Sequence, residues 1–236
     1  MNDISYPVRI NRYLALMGEA TRRGADKLIE EKKVSVNERT AILGDVVQRG
    51  DVVKVKNSAT KEYLYLAYYK PQGIITHSPG EEEKGIEDIL QGQIKERVFP
   101  IGRLDKDSHG LIILTNDGRI TEKLLSPNRE HEKEYVVTVD KPITSRFLKH
   151  LEMGVDIEGY ATKPARTEEV SEQKFSIIIT EGKKHQLRRM CAAEGYVVRD
   201  IKRVRIMNIE LGTLQPGQFR ALKGEELKKF LASLRK

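Results

Sequence analysis

Apolar residues recur with two different periods along the chain, and these periods predict its helices and strands. Near the start they fall three or four residues apart, at Ile10, Tyr13, Leu14 and Met17. This spacing predicts an amphipathic helix that ends near Gly18. Thr21 predicts the N-cap of a second helix, and the valine-rich segments 34–36 and 52–55 predict a small β element after it.

Beyond residue 62, strand-like runs outnumber helical stretches. Strands are predicted at 63–69, 74–76, 98–101, 111–114, 131–139, 175–180 and 204–209. Helices are predicted at 86–90, 120–125 with Leu125 inward, 144–154, 185–194 and 225–234. Because strands and helices do not alternate regularly, the pattern predicts an α+β fold with a mixed, mainly antiparallel sheet flanked by helices.

The composition is that of a globular protein with a substantial core. The chain has 236 residues, of which 39% are hydrophobic, so it suits one large domain or a medium and a small one. No apolar run is long enough to cross a membrane, and residues 1–8 lack the apolar core of a signal peptide. Cys191 is the only cysteine, which excludes an internal disulfide and a zinc site built on cysteine clusters. These features predict a cytoplasmic protein without membrane association.

Positive charge is concentrated at the two ends of the chain. The net charge of +7 divides into +3 for residues 1–60, −4 for residues 61–180 and +8 for residues 181–236. Basic ends around an acidic middle favour a polyanion held at its flanks, and nucleic acid is the leading partner. The alternative is an ordinary solvated surface.

Candidate chemistry centres on the charged loop 102–110, whose sequence is GRLDKDSHG. Apolar runs of strand length, 98–101 and 111–114, flank it on both sides. Loops held between rigid strands often carry functional groups, although a charged surface turn has the same composition.

Three separated stretches resemble the motifs of one enzyme family. They are residues 102–108 with 114–118, residues 132–135, and residues 181–182 with 185–190 and 195–196. These resemble the catalytic, tyrosine and third motifs of the RsuA-type pseudouridine synthases. The turn at 70–73 (KPQG) resembles that family's opening motif, although Tyr69 stands where asparagine is common. Residues 131–135 and 205–208 look closest to the RluF branch of the RluB/RluE/RluF group, which acts on large-subunit ribosomal RNA.

The N-terminal segment resembles the S4 RNA-binding domain, with two short helices followed by a small β element. The resemblance implies that a set of basic helix residues contacts RNA phosphates: Arg9, Arg12, Arg22, Arg23 and Lys27. It also implies an S4-like domain at 1–56, a polar linker at 57–62 and a catalytic domain with a central cleft at 63–236.

The implied activity is the isomerisation of a specific uridine to pseudouridine in ribosomal RNA, with 23S RNA of the large subunit expected. No redox change or group transfer occurs, so the resemblance implies neither a cofactor nor a metal. The expected partner is RNA, and the protein is expected to be a monomer. Transfer RNA and small-subunit ribosomal RNA stay open as substrates. A non-catalytic S4-type RNA-binding or ribosome-associated protein is the alternative from a different class.

The resemblance assigns the catalytic roles to Asp105, Tyr135 and Arg188. Asp105 is the catalytic carboxylate, acting as a nucleophile or as a base, and the sequence leaves both routes open. Arg188 is expected to pair with Asp105 and keep it ionised, and Tyr135 is expected to stack on the extruded uracil. RNA contact is expected from Arg103, Lys106 and Arg189.

Other reactive side chains receive structural interpretations. His109 and His185 lie among charges at a loop or a helix start, where solvated or capping histidines are common, so neither is predicted to act as an acid or base. Cys191 lies on a predicted buried helix face and is interpreted as a core residue.

Overall fold

The computed structural model of the chain describes residue 4 and residues 6–56, 63–77, 83–126 and 129–234. The chain forms two compact units: an N-terminal unit of residues 1–64 with 115–122, and a large unit of residues 65–114 with 123–236. Residues 115–122 thus group with the N-terminal unit although they follow a strand of the large one. The domain boundaries proposed from the sequence stay a prediction, and the proposed linker at 57–62 lies outside the described residues.

The N-terminal unit has the two helices that the sequence predicts. They are α1 (Ile10–Leu16) and α2 (Arg22–Glu30). The hydroxyl of Thr21 accepts a hydrogen bond from the Gly24 amide at 3.0 Å and caps α2 as predicted. The unit's strands are β1 (Val8–Arg9), β2 (Val34–Val36), β3 (Arg39–Thr40), β4 (Val46–Val47) and β5 (Val53–Val55). β2 pairs with β3 and β5, while β1 pairs with β4.

The large unit is built on one sheet, which has nine strands among the described residues. They are β6 (Tyr65–Lys70), β7 (Phe99–Ile101), β8 (His109–Thr115), β9 (Lys133–Val139), β10 (Arg166–Ser171), β11 (Lys174–Ile179), β12 (Val198–Ile206), β13 (Ile209–Glu210) and β14 (Phe219–Ala221). The order along the sheet is β10-β11-β9-β12-β8-β6-β14, with β13 on β12 and β7 on β8. β12 runs antiparallel to β9 and parallel to β8. The predicted mixed, mainly antiparallel sheet is therefore confirmed, and the central cleft stays a prediction.

After α3 (Ile86–Leu90) the chain forms a 3₁₀ turn (Gly118–Ile120) and α4 (Thr121–Leu125), of which residues 118–122 group with the N-terminal unit. Helices of the large unit flank its sheet, and their apolar faces form the core. They are α3, α5 (Ser145–Met153), α6 (Gln186–Ala193) and α7 (Gly224–Ser233). Thr144 caps α5, which buries Phe147 against Phe175 of the sheet with ring centroids 5.4 Å apart. Cys191 is 1% exposed, as its core interpretation requires. Among the described residues, no helix combines the length and apolar character needed to span a bilayer.

Three local predictions are wrong. Residues 74–76 form no strand, because Ile75 makes a single bridge to Gly85 and the Thr76 hydroxyl is bonded to Leu104 instead. Residues 204–209 are two strands, since Met207 has φ +54° and turns the chain between β12 and β13. Leu125 is 48% exposed, because α4 ends there after little more than one turn.

Gly110 marks a close approach of two strands in the sheet. It pairs with Arg203 across the parallel β8–β12 ladder and has φ +110°. A Cβ atom at this position would meet the carbonyl oxygen of Arg203 and lie 2.7 Å from its amide nitrogen. Both atoms belong to backbone in the centre of the sheet, so they cannot move away without breaking the ladder.

We expect Gly110→Ala to destabilise the protein by about 2–5 kcal/mol, because overpacking and a strained φ each cost about 1–3 kcal/mol. Gly182→Ala is the control, since a Cβ atom added to Gly182 would meet no other described atom within 4 Å. Urea denaturation of the three proteins measures the difference in the free energy of unfolding. Equal stability of Gly110→Ala and the wild type would contradict the close approach.

Candidate active site

The loop 102–110 joins β7 to β8 and is held at several backbone points. The Ser108 amide donates to the Asp105 carbonyl at 3.1 Å and closes a turn. Leu104 is buried, and the Thr76 hydroxyl bonds both its carbonyl and its amide, at 2.8 and 3.2 Å. With Leu104 fixed inward, the next side chain, that of Asp105, is left 41% exposed. The loop therefore presents the Asp105 carboxylate, partly accessible, on a backbone that is held at several points.

Lys70 joins this loop to the turn at 70–73 from the protein interior. Its residue is fully buried, and its Nζ donates to the carbonyls of Pro71 at 2.9 Å, Ile74 at 2.6 Å and Lys106 at 3.4 Å. An ammonium has three donors, so each of its hydrogens has an acceptor.

The charge of Lys70 is held in a difficult environment. Burial lowers its pKa to about 8, the negative charge of Asp105 opposes that shift, and the positive charge of Arg203 adds to it. Lys133 on β9 has its pKa lowered to about 8 as well, by burial and by Arg203, against the opposing charge of Glu181. Lys70 and Arg203 are thus buried cations and Lys133 is a partly buried one, and the sequence pattern predicted no role for any of the three.

Tyr135 lies on β9, opposite Arg203 of β12 in the antiparallel ladder. Its residue is only 8% exposed, and the Arg203 guanidinium carbon lies 6.0 Å from the centre of its ring. Tyr135 shares one core cluster with Leu104 and Leu187. Because these apolar residues adjoin Asp105 and Arg188 in sequence, the cluster brings the three predicted motifs to one place.

The predicted ion pair between Asp105 and Arg188 is not formed. Among the described residues, the basic group within 4.0 Å of the Asp105 carboxylate is His185, whose Nε2 lies 3.7 Å from Oδ1. Arg188 donates instead to the carbonyls of Asp107 and Val198, each at 3.4 Å. The reason is local: His185 has a left-handed backbone with φ +52° just before α6 and faces the carboxylate. The sequence reasoning discounted His185 and missed this position.

Glu181 organises the segment that presents His185. It is buried and accepts hydrogen bonds from Tyr160 Oη at 2.6 Å, Gln186 Nε2 at 2.8 Å and the Lys163 amide at 3.0 Å. Gln186 also accepts from the Lys183 amide at 2.9 Å, which closes the turn before α6. Each oxygen of this buried carboxylate accepts at least one hydrogen bond, so Glu181 holds three separate parts of the chain together.

His109 bridges strands β6 and β12, and its hydrogen-bond partners are Tyr69 and Asp200, not Asp105. Its Nδ1 lies 2.7 Å from Tyr69 Oη, and its Nε2 lies 3.1 Å from both carboxylate oxygens of Asp200. Tyr69, which stands where the family's opening motif commonly has asparagine, therefore has a defined hydrogen-bond partner.

The predicted RNA-contact residues of the large unit differ in their surroundings. Arg103 is exposed, whereas Lys106 Nζ donates to Glu83 at 2.9 Å. Arg189 donates to the Ile157 carbonyl at 2.6 Å and to Glu158 at 2.7 Å. Contact of these three residues with RNA stays a prediction.

The predicted RNA-contact residues of the N-terminal unit are all at least partly exposed: Arg9, Arg12, Arg22, Arg23 and Lys27. Arg12 pairs with Glu122 at 3.2 Å, and Lys27 lies 3.9 Å from Glu31. Such exposed pairs are weak and leave the side chains able to exchange partners.

Neither a metal cluster nor a reactive thiol is found in the described part of the chain. No group of three or more His, Cys, Asp or Glu side chains is arranged to hold a metal ion there. Burial raises the pKa of the Cys191 thiol to about 12, so it is not a nucleophile at neutral pH.

Comparison with known proteins identifies this arrangement. The profile of RNA pseudouridylate synthases matches residues 64–193, and the S4 domain profile matches residues 8–53. The chain belongs to the RNA pseudouridine synthase family. The family predicted from the motifs is therefore confirmed, and so is the S4 domain.

Pseudouridine synthases of two bacteria match almost the whole chain. The dual-specificity RNA pseudouridine synthase RluF of Escherichia coli K12 is 42% identical over 93% of this chain and 77% of its own length. The ribosomal large subunit pseudouridine synthase B of Bacillus subtilis is 34% identical over 95% of this chain and 96% of its own length. A crystal structure of a pseudouridylate synthase superposes with a TM-score of 0.70 at 27% identity, covering 96% of this chain and 99% of that one.

We expect pseudouridine formation by this family member to fall as the pH rises through about 8, where Lys70 loses its proton. The ammonium donates three hydrogen bonds and the neutral amine only two, so one carbonyl loses its donor and the carboxylate loses a nearby cation. The measurement is kcat against pH between about pH 6 and pH 9.

Lys133 titrates in the same range, so Lys133→Met separates the two lysines. The fall should persist in Lys133→Met if Lys70 causes it, and should be absent in Lys70→Met. A flat profile in the wild type up to about pH 9 would contradict the expectation.

Proposed function

We propose that this protein isomerises a specific uridine of large-subunit ribosomal RNA to pseudouridine, with Asp105 as the reacting carboxylate. The reaction breaks the bond between N1 of uracil and C1′ of ribose, and the base rotates so that C5 joins C1′. The proton on C5 leaves and N1 gains one, so the product is an isomer of the substrate. Neither an oxidant nor a donated group enters this balance.

The observation that carries the proposal is the setting of Asp105. The motif resemblance makes this residue the counterpart of the family's catalytic aspartate. Its side chain is 41% exposed, and the loop around it is tied to the interior by Lys70 and Thr76. A carboxylate that must react with a nucleotide needs both access and a fixed position. The surface-turn alternative accounts for neither the buried ammonium nor the neighbouring motifs.

Tyr135, Arg188 and His185 take supporting roles in this proposal. Tyr135 stacks on the uracil after the nucleotide has left its own stack, a step that costs a few kcal/mol and favours a loop uridine. Arg188 fixes the loop through the Asp107 carbonyl. His185, whose Nε2 lies 3.7 Å from Oδ1 of Asp105, orients the carboxylate toward the substrate.

The names of the relatives support ribosomal RNA as the substrate. One acts on the large ribosomal subunit, and the other is described as a dual-specificity RNA enzyme. We propose the large-subunit RNA as the main target and a second RNA, such as a transfer RNA, as the alternative. In this proposal the protein works in the cytoplasm as a monomer, and its S4 domain holds RNA through phosphate contacts.

We expect Asp105→Asn to lower pseudouridine formation at least about 1,000-fold, as removal of a reacting group does in other enzymes. Carbodiimide mapping of 23S RNA from a strain that lacks the gene, complemented with wild type or variant, locates the modified uridine. Asp107→Asn is the matched control, because it removes a carboxylate from the same loop and should cause a far smaller loss. Gel-shift assays should show RNA binding retained by both variants.

Two results would count against this proposal. Unchanged pseudouridine in RNA from the Asp105→Asn strain would remove the catalytic role. A site lost from transfer RNA alone would overturn the choice of substrate while leaving the enzyme class intact.

We expect the double variant Arg22→Gln, Arg23→Gln to raise KM for RNA and leave kcat unchanged, because both residues are exposed on the first turn of α2, far along the chain from Asp105. Loss of two phosphate contacts should reduce the salt slope of log K by about 2. Lys229→Gln on α7 is the control, as it removes an exposed cation elsewhere. A fall in kcat at saturating RNA would instead give α2 a part in shaping the active site.

A further inference from the structure

Arg203 is a buried cation on β12, next to the loop 102–110 that carries Asp105. It is 3% exposed and faces Gly110 across the parallel ladder with β8. Its hydrogen bonds among the described residues go to backbone carbonyls and not to a carboxylate. Burying a guanidinium without an anionic partner is costly. A residue retained only for the stability of the sheet would be apolar.

Two of the guanidinium nitrogens hold the loop that carries Asp105. Nε donates to the Leu111 carbonyl at 2.6 Å, and Nη1 donates to the Arg103 carbonyl at 3.3 Å. Arg103 precedes Asp105 by two residues and Leu111 follows it by six, so one acceptor lies near the start of the loop and the other in β8, just after the loop ends. Because the guanidinium is planar and rigid, these bonds fix the distance between the two ends.

The third nitrogen is the part of Arg203 that protein contacts do not explain. Among the described residues, Nη2 is one of the few buried side-chain nitrogen and oxygen atoms without a hydrogen-bond partner. The guanidinium carbon lies 6.0 Å from the ring centre of Tyr135. An unsatisfied buried donor is unfavourable, which adds to the expense of keeping arginine at this position.

Resting on the function proposed above, we propose that Arg203 is a positioning residue that holds Asp105 in its reactive place by tying together the two ends of the loop. It acts through the backbone and not on RNA, since its side chain is enclosed. Its positive charge also contributes to the field around the loop, as its effect on the neighbouring lysines shows. The two carbonyls are bonded at once, however, because the guanidinium has a forked set of N–H donors, which we call the fork.

The fork and the charge can be separated by substitution. Arg203→Lys keeps the positive charge but ends in one ammonium that cannot reach both carbonyls with the same geometry. Arg203→Met removes the charge and the donors while keeping much of the volume. Arg205→Lys is the matched control, because Arg205 lies on the same strand and bonds Glu132 and Glu134.

We expect kcat to fall about 10- to 100-fold in both Arg203 variants, as small misplacements of a reacting group do, with KM for RNA within about twofold of wild type. Arg205→Lys should keep the wild-type kcat. A merely destabilised sheet would also lower the apparent kcat without changing KM, because part of the enzyme would be unfolded and inactive. Activity is therefore measured well below the midpoint of thermal unfolding for each variant. Wild-type kcat in Arg203→Lys would overturn the proposal, since charge alone would then suffice.

Hydrogen exchange of the loop amides gives a second test that needs no activity. The amides of Leu104 and Ser108 are protected by the Thr76 hydroxyl and the Asp105 carbonyl. We expect both to exchange faster in Arg203→Lys, while the amides of β9 and β11 exchange as in wild type. Unchanged exchange of the Leu104 and Ser108 amides would overturn the positioning role of Arg203. So would faster exchange throughout the sheet or failure to fold, because Arg203 would then be a residue of the sheet core.

The two proposals fail in different ways. If the wild type forms no pseudouridine in any RNA, the proposed function is wrong, while the exchange experiment still decides whether Arg203 holds the loop. If the wild type is active and Arg203→Lys retains both its rate and its exchange pattern, only the positioning role is lost.

Discussion

The parallel pairing of β8 with β12 is the constraint on which the rest of the site depends. It places Gly110, at the end of the catalytic loop, against the backbone of Arg203. On its other edge β12 pairs with β9, where Arg203 stands opposite Tyr135. One residue in the middle of the sheet is thus next to both the loop and the tyrosine. A side chain larger than hydrogen at Gly110 would separate the strands and move the loop.

Charge is the second organising feature of the site. Lys70 is buried and Lys133 is partly buried; burial lowers the pKa of each to about 8, and the positive charge of Arg203 contributes to both shifts. Such a cluster opposes folding, because desolvation and mutual repulsion both disfavour it. Lys70 and Arg203 both donate to backbone carbonyls of the loop that carries Asp105. In the proposed reaction, cleavage of the glycosidic bond leaves negative charge on the base, and a preorganised positive field stabilises such charge.

Local sequence patterns predicted much of the fold correctly. Their predictions were wrong where the outcome depends on contacts with residues far away in the chain. Thr21 and Thr144 cap their helices as their position in the pattern predicts. Thr76 belongs to a run that reads as a strand, yet its hydroxyl serves the Leu104 backbone in the catalytic loop. Leu125 has helical spacing but ends a short helix in an exposed position. Such outcomes depend on residues far away in the chain, which a local pattern does not contain.

By itself, the sequence determined the family, the α+β class and the candidate carboxylate, since motif residues and periodicity are properties of short segments. Tertiary structure decided which side chains lie next to that carboxylate. His185 and not Arg188 lies 3.7 Å from Asp105, because a left-handed residue at the start of α6 turns the imidazole toward the loop. The contact of Arg203 with the loop follows from the pairing of β8 with β12, which the sequence pattern does not show. Which charges meet is set by strand pairing and burial over long distances, and spacing along the chain does not encode them.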